Sequence, residues 1–298
     1  MKTSLKADLA LLMITIFWGT SCLLTKIGLG EIGAFNLIAL RFIIAFSLSA
    51  AVFWKKIRHA DRRTVRYAAI ISVILFMEYV AMTYGVKMTS VSNAGFLTCL
   101  AGVFVPIISF AFLKQKLEIK VLAGICLTFI GIYLLTVNER ISFNLGDLLC
   151  TLCSIIFAVH IIVLGKLTVK VDSVALGVIQ LGFAGIYALA FSYIFEDPIL
   201  PASPQSWLIV ITLSVFCTAI AFIVQTVAQK YTSPVHTGFI FSLEPVFTAI
   251  VAFIFVNEVL PLKGYLGGFL MIVSVILVEI DFKTLLSRKN SPAEREQA

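Results

Sequence analysis

The chain has 298 residues, of which 60% are hydrophobic and 13% charged. A soluble domain averages about 45–50% apolar and about 25% charged residues, so this composition excludes a water-covered surface and equally excludes disorder. The net charge of +7 would suit a nucleic-acid binder if the protein were soluble, but in lipid it reads as the Lys and Arg excess of one membrane face.

About 20 apolar residues cross a bilayer. Ten stretches qualify: 8–28, 33–54, 67–87, 90–113, 119–137, 146–165, 173–195, 206–229, 233–256 and 261–280. Lys2 and Lys6 precede the first, and no small-x-small cleavage site follows it, so an uncleaved helix is expected rather than a signal peptide. Arg41 and Glu78 interrupt the second and third, whereas 90–113 and 173–195 carry no charge. Pro198, Pro201 and Pro204 mark a loop before the eighth. All six cysteines fall in apolar stretches. Cys150 and Cys153 have C-x-x-C spacing but no second ligand pair, so packed thiols are expected, with no metal and no cofactor. Asp281 to Ala298 reads as a short cytoplasmic tail.

Loop charges orient the chain. With the N-terminus inside, 18 of the 23 basic residues lie on the cytoplasmic side. Lys87, Arg140 and Lys263 lie outside, and Lys26 and Arg41 fall within helices. The positive-inside rule then puts both termini in the cytoplasm of a multi-pass membrane protein, for which a bacterial plasma membrane is expected.

The chain also matches itself at an offset of 143 residues. Lys87-Met-Thr-Ser90 aligns with Lys230-Tyr-Thr-Ser233, Gly95-Phe96 with Gly238-Phe239, and Val103-Phe104 with Val246-Phe247. Residues 87–134 and 230–277 share 16 identities over 48 ungapped positions. The expected fold is therefore an all-α membrane protein of ten transmembrane helices in two five-helix repeats, 1–140 and 141–281, followed by the tail 282–298. Five crossings are odd, so the second copy enters from the opposite side. Inverted repeats are a hallmark of secondary transporters, whose site lies near the midplane between the copies.

Phe17-Trp18-Gly19-Thr20-Ser21 through Lys26 resembles the W-G-…-K signature closing the first helix of EamA-type carriers in the drug/metabolite transporter superfamily. Arg41-Phe42 resembles their Arg-Phe pair, and Leu243-Glu244-Pro245 with Asn257-Glu258 their L-E-P and following G-E pattern. Lys114-Gln115-Lys116 departs from the usual Gly-Glu-Arg-like turn, and Phe157 replaces a frequent Trp. The resemblance implies export of amino acids or other small metabolites, without naming the cargo.

Glu78 lies about midway along its span, where a charge costs about 2.5–3.5 kcal/mol and tends to face a cavity, so it is the leading candidate for proton coupling. Met82 and Gly85 share its helical face, with Tyr79 beside it. Glu244, followed by Pro245, is expected to serve structure or gating. Gly95, Gly102 and Pro106 in one helix, and Gly238 and Pro245 in its repeat partner, suggest broken helices, with the kinks offset by about one turn. Arg41 is expected to pair with Glu244 or with a freed carbonyl, a cargo carboxylate being the other option. Lys26 is expected to snorkel, with a functional role open. His160 and His236 read first as packed hydrogen-bonding groups. Trp18, Phe96, Phe239, Tyr79 and Tyr84 are candidate cavity aromatics; Ser21, Asn93, Gln180 and Gln225 are candidate polar contacts. Gly264 and Gly268 form a G-x-x-x-G expected to serve internal packing, so a monomer is expected ahead of a dimer. The expected partners are a small-molecule substrate and the lipid bilayer, with no nucleic acid.

Competing readings are weaker. A membrane enzyme needs a metal motif or a nucleophile–base pair, for which His59-Ala-Asp61 is the nearest sequence. A channel or sensor is the third reading; a sensor needs an appended domain, for which the loops are too short, and an ATP-driven pump needs a Walker A sequence, which the chain does not contain.

Overall fold

The computed structural model describes residues 3–113, 118–136, 144–256 and 261–279. Lys114-Gln115-Lys116, Arg140, Asn257-Glu258 and the tail from Asp281 lie outside them. Every regular element among the described residues is helical. In chain order these are α1 (Thr3–Gly28), α2 (Ala34–Val52), the short α3 (Trp54–Arg58), α4 (Arg62–Met88), α5 (Val91–Cys99), α6 (Ala101–Leu113) and α7 (Ile119–Thr136). The second half comprises α8 (Leu145–Thr168), α9 (Ser173–Phe195), α10 (Pro204–Ser214), a π-helical segment (Val215–Ile220), α11 (Ala221–Ala228), α12 (Pro234–Phe241), α13 (Glu244–Val256) and α14 (Leu262–Glu279).

Seven helical segments among the described residues are long and apolar enough to cross a membrane: Thr3–Gly28, Ala34–Val52, Arg62–Met88, Asn93–Phe112, Leu145–Thr168, Ser173–Phe195 and Pro204–Ala228. Ile119–Leu135 and Leu262–Val278 are apolar but shorter. The surface is that of a protein solvated by lipid. Large apolar side chains such as Phe112, Leu148, Ile186 and Leu208 face outward, while Arg41, Gln180, Gln225 and His160 are buried. This is an integral, multi-pass, all-helical fold.

Helix starts follow capping chemistry. Asp61, Ser90, Asp172, Ser203 and Ser233 each accept a bond from a backbone N–H in the first turn of the helix they precede. Asn144 and Asp147 form a reciprocal capping box on α8. The repeat-matched Ser90 and Ser233 thus share one local role.

The stretches expected at 90–113 and 233–256 are each divided, at Leu100 and at Ser242-Leu243. In the 143-residue register these breaks coincide, which corrects the expected offset of one turn. The proline positions were misleading guides. Pro106 sits inside α6, whereas Pro245 occupies the first turn of α13, where its missing N–H leaves nothing unpaired.

The closest helix pairs are α7 with α14, α4 with α8, and α2 with α9. The α7–α14 seam repeats itself when the two helices are exchanged. A Cβ on Gly124 would stand 2.7 Å from Val278 Cγ2, and one on the matching Gly267 would stand 2.7 Å from the nitrogen of Leu135, the residue matching Val278. Thr128 hydrogen-bonds Ser274 at 2.5 Å, while the matching pair brings Gly131 against Met271. Gly267 is therefore the close-contact glycine here. Gly268 of the expected G-x-x-x-G meets only Val246 Cγ2, at 3.9 Å.

The α2–α9 pair is pinned near both ends. The Glu196 carboxylate accepts from the backbone N–H groups of Phe35 (3.1 Å) and Asn36 (2.9 Å), capping α2 across the chain. At the other end Asp172 binds Lys56 at 2.6 Å. Partial burial opposes the charge of Asp172, but Lys56 and the Ala175 N–H outweigh it and hold the carboxyl below its ordinary range.

Candidate functional site

Between α1, α4, α5, α8, α11 and α13 lies a cavity of about 50 Å³. Helical spacing brings its wall together. Trp18, Ser21 and Cys22 share one face of α1, Glu78 and Met82 one face of α4 with Tyr79 alongside, and Cys153 and Phe157 one face of α8. Thr98 of α5, Phe222 of α11 and Glu244 of α13 complete it. Glu244 is the first residue of α13, beside the helix break.

Arg41 stands behind this wall, 2% exposed. Nε donates to Thr218 Oγ1 (2.5 Å), Nη1 to Ser21 Oγ (3.3 Å), and Nη2 to Tyr79 Oη (3.1 Å) and the Cys217 carbonyl (3.0 Å). The guanidinium also lies 4.7 Å from the Tyr79 ring centroid. Among the described residues no carboxylate stands within ion-pair distance of it. Of the expected partners, Arg41 therefore takes the carbonyl and not Glu244. The π segment presents that carbonyl: Cys217 O accepts from both Trp18 Nε1 (3.0 Å) and Arg41. Ser21 and Tyr79 accept from the cation, which leaves each hydroxyl's own proton available to the cavity.

His160 is fully buried behind Glu78, with Nδ1 3.9 Å from Glu78 Oε2. Gln180, also fully buried, lies beside the ring and donates to Thr226 Oγ1 at 3.1 Å. Gln225 donates to Gln229 Oε1 at 3.3 Å.

Four expected residues lie elsewhere. Asn93 is in the first turn of α5, where its amide donates to Asp147 at 3.4 Å. Phe96 and Phe239 belong to a second apolar cluster, in which Phe96 packs against Phe129 and Tyr133. Tyr84 packs against Phe35. These spans are apolar on every face, so nothing in the sequence told cavity-facing from cluster-facing rings. Cys22, Thr98, Cys153 and Phe222 were missed for the same reason. The one available signal was spacing: Cys22 follows Trp18, and Cys153 precedes Phe157, by one helical turn.

The Lys26 ammonium does not snorkel. It donates to the carbonyls of Val86 (2.6 Å), Thr89 (2.9 Å) and Lys87 (3.1 Å), closing the C-terminal end of α4. Thr89 in turn donates to Asp147 at 2.6 Å.

The sequence pattern of the EamA-like transporter family matches residues 5–137 and, a second time, residues 144–280. The chain belongs to the EamA-like transporter family. Among its relatives, an uncharacterized transporter of Archaeoglobus fulgidus is 29% identical over 276 residues, covering 93% of this chain and 86% of that protein. A second one from the same organism is 27% identical over 282 residues, covering 91% of this chain and 96% of the other. Uncharacterized transporter YoaV of Bacillus subtilis is 24% identical over 198 residues, with coverage of 64% and 68%. A solved crystal structure of a protein 18% identical in sequence has a TM-score of 0.77 and covers 96% of this chain and 99% of its own, a likeness of fold alone.

In this EamA-family membrane transporter the Trp-Gly…Lys run acquires a physical meaning. Trp18 holds the π segment and Lys26 closes α4. Gly19 lets α13 approach: a Cβ there would stand 3.0 Å from the Thr248 nitrogen, and Thr248 Oγ1 donates to the Gly19 carbonyl at 2.7 Å. The family and its relatives are named for transport rather than catalysis.

Proposed function

We propose that this EamA-family chain is a secondary carrier exporting small amphoteric solutes, amino acids or related metabolites, by alternating access. The cavity carries the reading. It is lined by two carboxyl-bearing residues, Glu78 and Glu244, together with Ser21 and Tyr79, whose hydroxyls are backed by the Arg41 cation. Carboxylates suit an ammonium and cation-backed donors suit a carboxylate, so a zwitterion finds both partners. At about 50 Å³ the space holds roughly three or four waters at about 15 Å³ each and falls well short of the about 300 Å³ of a small-molecule site. Cargo enters only when the surrounding helices part. Pro106 and Pro245 stand in the two divided helices, whose breaks mark where that parting bends the wall.

The carrier has ten crossings: α1, α2, α4, α5–α6, α7, α8, α9, α10–α11, α12–α13 and α14. Residues 1–140 and 141–281 form the two inverted copies, and 282–298 a tail. The exchange symmetry of the α7–α14 seam and the two family matches support this arrangement. The Lys and Arg excess supports termini in the cytoplasm of a bacterial plasma membrane. The carrier works as a monomer, without cofactor or nucleic acid, and Glu78 couples export to protons.

Purified protein in liposomes preloaded with a broad amino-acid and metabolite pool tests this. Exchange of labelled solute is expected. No exchange of any member by folded protein refutes the carrier.

A further inference from the structure

Several buried polar atoms behind the cavity are left unpaired. Glu78 Oε2, both ring nitrogens of His160, Gln180 Oε1 and Gln225 Oε1 are buried and have no hydrogen bond among the described residues. Such orphans are costly in an apolar interior, and here they stand together on α4, α8, α9 and α11. The His160 Nδ1 to Glu78 Oε2 distance of 3.9 Å is just beyond a direct bond, so a small side-chain shift or one bridging water joins them. Gln180 lies beside the ring and donates to Thr226 of α11, whose neighbour in sequence, Gln225, donates to Gln229 at the end of α11, next to exposed Lys230. No group of three or more His, Cys, Asp or Glu able to hold a metal ion occurs among the described residues.

We propose that Glu78 and His160 together are the proton-binding site of the carrier, with His160 passing the proton between Glu78 and the Gln229 end of α11, away from the cargo path. The inference rests on the carrier reading above and adds to it a second residue and a route. In the loaded pair Glu78 carries a proton and His160 is neutral, protonated on Nε2. Glu78 gives its proton to Nδ1, and Nε2 releases its own toward Gln180 and on to water. One proton has left, the imidazole is neutral again as the Nδ1–H tautomer, and the Glu78 carboxylate is free for an ammonium on the cargo. The other titratable or charged groups acting on Glu78 are Arg41 from α2, Tyr79 from α4 and Cys153 from α8, while Cys22 from α1 and Glu244 from α13 line the same cavity. None of them interposes a second histidine, so one imidazole carries the relay.

Three measurements on the full chain test it. Infrared titration of protein in lipid nanodiscs follows the protonated-carboxyl stretch assigned to Glu78 by its loss in Glu78→Gln. In His160→Gln the midpoint of that band is expected to move by at least one pH unit, a tenfold change in proton affinity. In unmutated protein a nitrogen-15 histidine signal, assigned by its loss in His160→Gln, is expected to switch tautomer with the same midpoint. An unmoved band and a histidine indifferent to it overturn the dyad, and the second observation needs no variant to fold for transport. In liposomes carrying a labelled amino-acid mixture, His160→Gln is expected to lose uptake driven by a pH gradient. Proton-driven uptake by Glu78→Gln removes proton coupling through Glu78 altogether. Loss of coupling in Glu78→Gln with full coupling in His160→Gln overturns the relay alone.

Discussion

Arg41→Lys keeps the buried positive charge and removes the fork. The guanidinium supplies four hydrogen bonds, at 2.5 to 3.3 Å, to acceptors on α1, α4 and the π segment. An ammonium gathers its donors on one atom and cannot span acceptors drawn from three elements. Losing two of the four bonds at about 1.5–3 kcal/mol each costs roughly 3–6 kcal/mol. At roughly 2–4 °C per kcal/mol for a chain of this order, thermal unfolding in detergent falls by at least about 6 °C. Ser21 and Tyr79 also lose the guanidinium donors that orient their protons toward the cavity, so KM for exchange rises. Unfolding within about 2 °C of the unmutated protein, together with an unchanged KM, would refute the argument that the fork rather than the charge organises this wall.

Lys26→Met strips three donors from the end of α4, and is expected to cost about 2 kcal/mol because the Lys87 carbonyl is open to water. Faster hydrogen exchange confined to the last turn of α4 checks it. Gly267→Ala forces a Cβ to within 2.6 Å of the Gly131 carbonyl oxygen and parts α7 from α14, at about 1–3 kcal/mol, whereas Gly268→Ala next door is near neutral because its Cβ meets only Val246. Unfolding temperatures of the two variants side by side decide this. Asp172→Asn removes a carboxyl whose folded pKa is lowered from 3.8, so the stability it contributes is present above that value and lost as pH falls through the folded one. The pair is half exposed, so the variant loses less than about 1 kcal/mol near neutral pH, and the difference vanishes in acid, as urea unfolding across pH reads out.

Much of this fold was written in plain composition. Apolar runs bounded by Lys, Arg and proline marked the membrane helices, and the repeat marked which ones correspond. Within the site, Glu78 with Met82 and Tyr79 could be grouped by helical spacing, because one charge in an apolar span phases its neighbours. Asn93, Phe96 and Phe239 could not be phased, since their helices are apolar all round and Asn93 sits in a capped first turn. The division at Leu100 falls between Gly95 and Gly102, but Pro106, a turn and a half later, is the stronger breaker and drew the expected kink too far along the chain. The partners of Lys26 are 60 or more residues away, out of reach of any local pattern.

The π segment Val215–Ile220 has one further consequence, and it concerns phase. An α-helix turns about 100° per residue, so one residue too many in a turn rotates everything after it by that angle without shortening the crossing. Upstream, Leu213 points inward; downstream, Gln225 and Thr226 do as well, and Thr226 stands thirteen residues after Leu213, which a continuous 3.6-residue count would place on nearly the opposite side. Removing a single residue between Val215 and Ile220 would therefore leave the helix long enough to span and yet swing its two buried amide and hydroxyl side chains toward lipid. A relative aligned here without a gap, but lacking the π turn, would present a different face to the same cavity.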